Sequence, residues 1–295
     1  MLSTVTTVEG AVESFILSRD LMGCTPKTVK MYREVMRDFL KSSSPEWPVT
    51  VLDIQKYVGG MKSRGLKPYT INGRLRAVRA FTSWALQAAL LPDNPGKAVR
   101  FKTPRTLPSV PTQDEVMRVL RAADKTWEGL RARTMVLTMI DTGLRVSELI
   151  GLRWEDADAP TQYLTVRQGK GQKDRVVPYG STVAQALNKW MNRQGVVRPE
   201  DFVFPSKTGR RLTPAGAFAI VQRLGRRAQL ARSISPHKLR HFFATQYLRN
   251  GGDLETLRQI LGHATLMMVL RYAHLISADV GRVHRRASPA DQLDR

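Results

Sequence analysis

The chain has 295 residues, 42% of them apolar, enough to bury more than one average core. Its 47 Lys and Arg against 25 Asp and Glu leave a net charge of +22, more than solubility needs and suited to a polyanionic partner. Cys24 is the only cysteine, which excludes an intramolecular disulfide or a cysteine-rich metal site and suits a reducing cytoplasm; no run of roughly 18 apolar residues and no basic-then-apolar leader points to a membrane or to export.

The first hundred residues read as helices. Over residues 7–21, Val8, Val12, Phe15 and Ile16 make one apolar stripe at helical spacing. Thr25-Pro26 reads as an N-cap followed by proline at the first helical position, opening a helix through Val29, Tyr32, Val35, Met36 and Phe39. A third helix is expected over 50–64 and a fourth over 68–91, with Leu75, Val78, Phe81, Trp84 and Ala85 inward and Arg74, Arg76 and Arg79 along its first half. A solvated outer face accounts for any one of those arginines. Taken with Lys27, Lys30, Arg33 and Arg37, they put two basic helices into one small bundle, a surface fit to neutralise phosphates. Two prolines and a glycine between Pro92 and Gly96 stop the fourth helix, so a helical domain over 1–95 is followed by a basic, proline-bearing linker over 96–111.

The second domain is expected over 112–295. Thr112 and Glu115 have the spacing of a capping box, and helices over 113–123 and 129–141 should follow. Residues 161–168 and 173–178 read as strands joined by the turn Gly169-Lys170-Gly171-Gln172, and from Ser181 onward the pattern is helical. The fold class is therefore mainly α with a small antiparallel sheet, in two domains.

Four segments hold residues fit for chemistry. Gly143 ends a helix just before Arg145, placing a guanidinium near the start of the next helix, where backbone N–H groups attract anions; the plainer alternative is a surface arginine paired with Glu148. Lys170 sits at the hairpin turn. His237 and Arg240 share a helix face and can offer an imidazole and a planar fork to one phosphate. His237 and His241 have the spacing of a helical zinc pair, but Lys238 stands where a zinc protease carries its glutamate, so no metal is expected. Tyr272 follows His263 by nine residues among Leu266, Met267, Val269 and Leu270, which are expected to pack on either side of it; each of these residues alone also fits an ordinary structural role.

Together, TGLRVSEL, GKGQKDRVVP, HKLRH and LGHATLMMVLRYAH, in this order, resemble the tyrosine recombinase family of phage integrases and Xer-type recombinases. The helical N-terminal part is similar to that family's core-DNA-binding domain. The resemblance implies that Arg145, Lys170, His237, Arg240 and His263 activate a phosphodiester and that Tyr272 is the nucleophile. Tyrosine has an unperturbed pKa near 10, so cationic neighbours must help remove its proton and stabilise the developing charge. Arg145 and Arg240 would clamp the non-bridging oxygens, Lys170 would protonate the departing 5′ oxygen, His237 would assist Tyr272 and His263 would bond the phosphate. A 3′-phosphotyrosyl bond keeps the phosphodiester energy, so neither metal nor nucleotide cofactor is expected.

The family further implies a C-shaped clamp on duplex DNA, a homotetramer on a pair of specific sites, a possible accessory protein and a nucleoid-associated life in the cytoplasm. With about a hundred residues before the catalytic domain, no arm-type DNA-binding domain is expected. Many relatives carry two threonines where Met267, Met268 and Val269 stand, and the tail from Ile276, with Arg282, Arg285 and Arg286, resembles the segment that relatives pass to a neighbouring subunit. Two alternatives are a type IB topoisomerase, disfavoured by the Gly-His263 motif, and a non-catalytic DNA-binding relative, which has no chemical need for all six residues.

Overall fold

The computed structural model describes residues 7–43, 46–104, 109–167, 174–263, 265–267 and 269–270. It divides into two compact units, Met1–Thr106 and Leu107–Arg295.

The first unit holds α1 (Val8–Leu21), α2 (Pro26–Ser43), α3 (Val51–Ser63), α4 (Pro68–Gln87) and the single turn α5 (Pro95–Ala98). Side-chain oxygens satisfy the helix starts: Thr7 Oγ1 accepts from Gly10 N at 3.2 Å, Thr25 Oγ1 accepts from Thr28 N at 3.2 Å, and Thr50 and Asp53 form a reciprocal capping box. Phe15 sits at the centre, edge-on to Tyr32 at 5.2 Å and to Phe81 at 5.6 Å, with Met36, Phe39, Leu75 and Val78 buried around it. Asp38 ties three helices together by accepting from Tyr57 Oη at 2.8 Å, from Arg64 and from Arg74.

Two boundaries differ from the sequence pattern. The fourth helix ends at Gln87, not at residue 91, because Ala89 takes a left-handed turn (φ 56°) and the N–H of Leu90 folds back to the Ala85 carbonyl at 2.9 Å. Residues 96–104, expected to begin a linker, pack on the helical unit: Val99 is buried in its core, Arg79 donates to the Gly96 carbonyl at 3.1 Å and to that of Val99, and Tyr69 Oη donates to the Pro104 carbonyl at 2.8 Å. Proline spacing marks where a helix stops, and says nothing of what captures the carbonyls beyond it.

The second unit opens with α6 (Gln113–Arg121), started by the Thr112–Glu115 capping box, and α7 (Trp127–Thr142), its central helix, packed against α9 (Ser181–Gln194) and α11 (Pro236–Arg249). Thr134, Thr138 and Thr142 are buried on α7 without stranded hydroxyls, since each donates to the carbonyl four residues back. After the single turn α8 (Val146–Leu149) comes a sheet of β1 (Ala157–Asp158), β2 (Tyr163–Val166) and β3 (Arg175–Pro178), antiparallel in the order β1-β2-β3. Leu164 pairs with Val177, and Leu164, Val166 and Val177 face the core. The turn expected at 169–172 lies outside the described residues. The two-residue β1 is too short to show an alternating pattern in the sequence. Helices α10 (Pro214–Arg227) and α12 (Leu254–Leu261) complete the unit. Among the described residues no helix is long and apolar enough to cross a membrane.

Candidate active site

The site is built on two glycine-ended helices. Gly143 closes α7 in the left-handed conformation (φ 62°), and a Cβ there would meet the Phe243 ring and stand 2.8 Å from Leu261 Cδ2. Gly262 closes α12 likewise (φ 61°). The chain can thus turn sharply at both places and bring Arg145 and His263 to the same side as α11.

From α11, Arg240 donates through Nη1 to the Gly143 carbonyl at 2.6 Å and through Nη2 to the Leu261 carbonyl at 2.7 Å, with His263 Nε2 3.0 Å from the same Nη2. From the start of α8, Arg145 donates through Nη2 to the Gly262 carbonyl at 3.3 Å. From β3, Arg175 donates through Nε to the Ile260 carbonyl at 2.9 Å. Three consecutive carbonyls at the negative end of α12 therefore each hold an arginine, and each arginine comes from a different element.

Glu148 binds the same arginines from the other side. Its carboxylate accepts from Arg145 N at 2.7 Å and Nη1 at 2.8 Å, and from Arg175 at 3.1 and 2.9 Å, while Arg240 Nη1 stands 4.0 Å away. Burial pushes the Glu148 carboxyl up, but the hydrogen bonds and charge of Arg175, with the bonds from Arg145, outweigh it and hold it at about 2. The carboxylate fixes the arginines without cancelling them: three guanidinium groups face one negative charge, leaving an excess suited to a phosphate. The Arg145 side chain is 36% exposed, against 11% for Arg175, 5% for Arg240 and 8% for Glu148, so Arg145 is the member most open to a ligand.

Two expectations are corrected here. The sequence puts Arg145 at the start of the next helix, beside backbone N–H groups able to attract an anion; it does stand at the start of α8, but that helix is a single turn and the Arg145 N–H itself is taken by Glu148. The surface pairing of Arg145 with Glu148 is half right, because the pair exists and its carboxylate is buried. His237 is exposed in the first turn of α11, and its ring lies edge-on to the buried His241, with centroids 4.2 Å apart. Among the described residues no cluster of three or more His, Cys, Asp and Glu is placed to hold a metal.

Lys170 and Tyr272 lie outside the described residues. Of the apolar residues expected to pack beside the tyrosine, Val269 is buried, whereas Leu266, Met267 and Leu270 are exposed, since one helical turn can direct only part of its surface inward. The structure thus brings Arg145, Arg240 and His263 together, with His237 one turn before Arg240. Arg175 lies inside the GKGQKDRVVP motif, and sequence reasoning does not single it out. A charged residue at the inward-facing start of a strand, where an apolar one belongs, is the available signal.

In the first unit Lys27, Lys30, Arg33 and Arg37 are exposed on α2, as is Arg76 on α4. Arg74 and Arg79 are half-buried, and the bonds to Asp38 and to the carbonyls of Gly96 and Val99 occupy them.

A helical, sheet-bearing unit with three arginines gathered round one buried carboxylate has the excess positive charge that suits a phosphate. Residues 110–278 match the phage integrase family. The chain is 34% identical over 237 residues to tyrosine recombinase XerC of Xanthomonas campestris pv. campestris (strain B100), covering 80% of this chain and 73% of that one. It is 30% identical over 299 residues to tyrosine recombinase XerD of Oceanobacillus iheyensis, covering 96% and 99%. It shares its fold with a lambda integrase fragment solved as a dimer bound to a core site, at 20% identity and a TM-score of 0.77, covering 90% and 95%. The chain belongs to the phage integrase family and is a site-specific DNA recombinase, an enzyme that cuts and rejoins DNA strands.

Proposed function

We propose that the cut is made by Tyr272, with Arg145 and Arg240 clamping the non-bridging oxygens of the scissile phosphate, His263 bonding that phosphate, His237 assisting the tyrosine and Lys170 protonating the departing 5′ oxygen. The observation that supports this best is the Arg145–Arg240–His263 cluster held on Glu148 and the end of α12. Arginine suits the task because its planar fork matches a phosphate and it never deprotonates near neutral pH. The product is a 3′-phosphotyrosyl bond and a free 5′ hydroxyl. A 5′ hydroxyl of another strand attacks the phosphorus, expels the tyrosine and restores a phosphodiester, so bonds are exchanged one for one and no nucleotide is consumed.

Duplex DNA with a specific site pair is the substrate. Each site has two strands, so a pair of sites presents four bonds, which a homotetramer serves with one tyrosine apiece. Residues 1–95 act as the core-DNA-binding domain, gripping phosphates through Lys27, Lys30, Arg33, Arg37 and Arg76, with Arg74 and Arg79 reaching phosphates only by leaving their partners in the bundle. Residues 112–295 form the catalytic domain; of the stretch 96–111 between them, residues 96–104 belong by packing to the first unit and the remainder serves as the linker. The protein works where the chromosome lies.

The test incubates wild type and Tyr272→Phe, with EDTA and without ATP, on duplex fragments of the neighbouring genome nicked to trap cleavage. A covalent protein–DNA adduct for wild type alone is the expected result; tight binding without an adduct on every fragment would overturn the reading.

A further inference from the structure

The arginine on β3 has no part in the clamp just described, yet it grips both Glu148 and the end of α12, on which the clamp is held. Its guanidinium meets the Glu148 carboxylate with both terminal nitrogens, donates through Nε to the Ile260 carbonyl, and lies so close to Gly262 that a Cβ there would stand 3.1 Å from Arg175 Cζ. All three of its nitrogens are engaged and its side chain is 11% exposed, so it is not placed as a ligand for DNA. Its neighbours are the anchors of other groups: Glu148 orients Arg145, the Leu261 carbonyl orients Arg240, and Gly262 leads into His263.

Consider the site without it. Glu148 would keep its burial and lose its bidentate partner, leaving a carboxylate that must pull Arg145 or Arg240 inward or take up a proton. The end of α12 would lose the bond to Ile260, on which the placement of the next two carbonyls depends. Either change moves a clamp arginine by a fraction of an ångström, enough to cost on the order of 10²-fold in a reaction that depends on positioning.

The geometry points to Arg175 as a positioning residue for strand cleavage, holding Glu148 and the carbonyls of residues 260–262 in the arrangement that sets Arg145, Arg240 and His263 on the scissile phosphate. This rests on Arg145 and Arg240 being the phosphate clamp. Because Arg175 stands five residues after Lys170 in the chain, one rival must be separated: that it acts by steering the general acid.

The experiment uses the full chain as wild type, Arg175→Met, Arg175→Lys and Lys170→Ala on the nicked fragment that forms an adduct with wild type. The fragment is made with oxygen or with sulfur at the 5′ bridging position. Sulfur leaves without protonation, so it relieves a missing general acid and leaves a misplaced clamp unrelieved. Arg175→Met is expected to bind DNA within about twofold of wild type while adduct formation at saturating protein slows on the order of 10²-fold, with either bridging atom. Arg175→Lys keeps the charge but not the fork, and should lie roughly tenfold below wild type, with normal binding.

Cleavage by Arg175→Met within about threefold of wild type would overturn the inference, as would full relief by sulfur or a loss of binding in step with cleavage. Should Arg175→Met fail to fold, by circular dichroism, Arg175→Lys decides: slowed cleavage unrelieved by sulfur supports the inference and wild-type cleavage overturns it. If sulfur does not relieve Lys170→Ala, the general-acid reading of Lys170 falls, and the split between binding and cleavage rate still decides Arg175. No adduct from wild type removes the reading of the site and this inference with it.

Discussion

Arg240 and Gly143, 97 residues apart in the chain, are joined by a hydrogen bond of 2.6 Å from the guanidinium to the glycine carbonyl. The bond requires the left-handed turn at Gly143, and that turn leaves no room for a side chain beside Phe243 and Leu261. Gly143→Ala is therefore expected to destabilise the second unit by about 2–4 kcal/mol and to slow cleavage in the fraction that still folds. Urea denaturation and adduct formation, measured on the same preparation, check both.

Arg145→Lys and Arg240→Lys keep the charge and lose the fork. If the two arginines clamp the scissile phosphate as proposed, each variant should bind DNA nearly as wild type does while cleavage falls by about 10²-fold or more, because the lost donors would serve the transition state. Arg240→Lys should also melt lower, since its guanidinium is buried against two carbonyls and a histidine, whereas the more open Arg145 should cost less stability. Equal losses of affinity and rate would contradict this.

Acid should weaken the site through Glu148. Its carboxyl is held at about 2, against an ordinary 4.5, so its ion pairs stabilise the fold above pH 4.5 and the contribution is lost as pH falls toward 2. Glu148→Gln has no such carboxylate. It should be less stable than wild type at neutral pH, and the gap should narrow across that window in denaturation curves taken at successive pH values.

Asp38 gives the first unit a comparable acid limit. The Arg64 hydrogen bond acts first, and Tyr57 and Arg74 assist against burial, lowering its carboxyl from 3.8 to about 2; Asp38→Asn should melt below wild type at pH 7, with the difference closing as pH drops from 3.8 toward 2. Burial, with the bond to Asp38, raises the Tyr57 hydroxyl from 10.0 to about 12, so the folded chain keeps a proton that the unfolded chain releases, and stability should fall as pH climbs from 10 toward 12. Thermal melts at both extremes test this.

The basic residues of the first unit should separate into two kinds. Replacing Lys27, Lys30, Arg33 or Arg37 with Gln should reduce the slope of log affinity against log salt by about 0.9 for each phosphate left without its cation, with little change in melting temperature. Arg79→Gln should lower the melting temperature instead, because its guanidinium holds the carbonyls of Gly96 and Val99.

What can be read from the sequence divides along the same physical line. Helix starts at Thr7, Thr50 and Thr112 are legible because a cap and an apolar stripe are local, written within a few residues. The family is legible because four motifs lie in order along the chain. Arg79, Arg74 and Arg175 cannot be assigned that way, because their partners are 17, 36 and 85 residues distant and only folding brings them near. The end of α4 escapes for a smaller reason: an alanine takes the left-handed turn usually marked by glycine.

The clamp is also finished late. Its two arginines come from the start of α8 and from α11, and Arg175 of β3 braces them, but the carbonyls that seat all three belong to the end of α12, the last helix to leave the ribosome among the described elements. A chain clipped or stalled ahead of Leu254 keeps its basic first unit and lacks the seat on which the reactive geometry depends. Such a fragment is expected to bind DNA and to form no covalent adduct with it, which a chain ended at residue 253 and assayed on the nicked fragment would check.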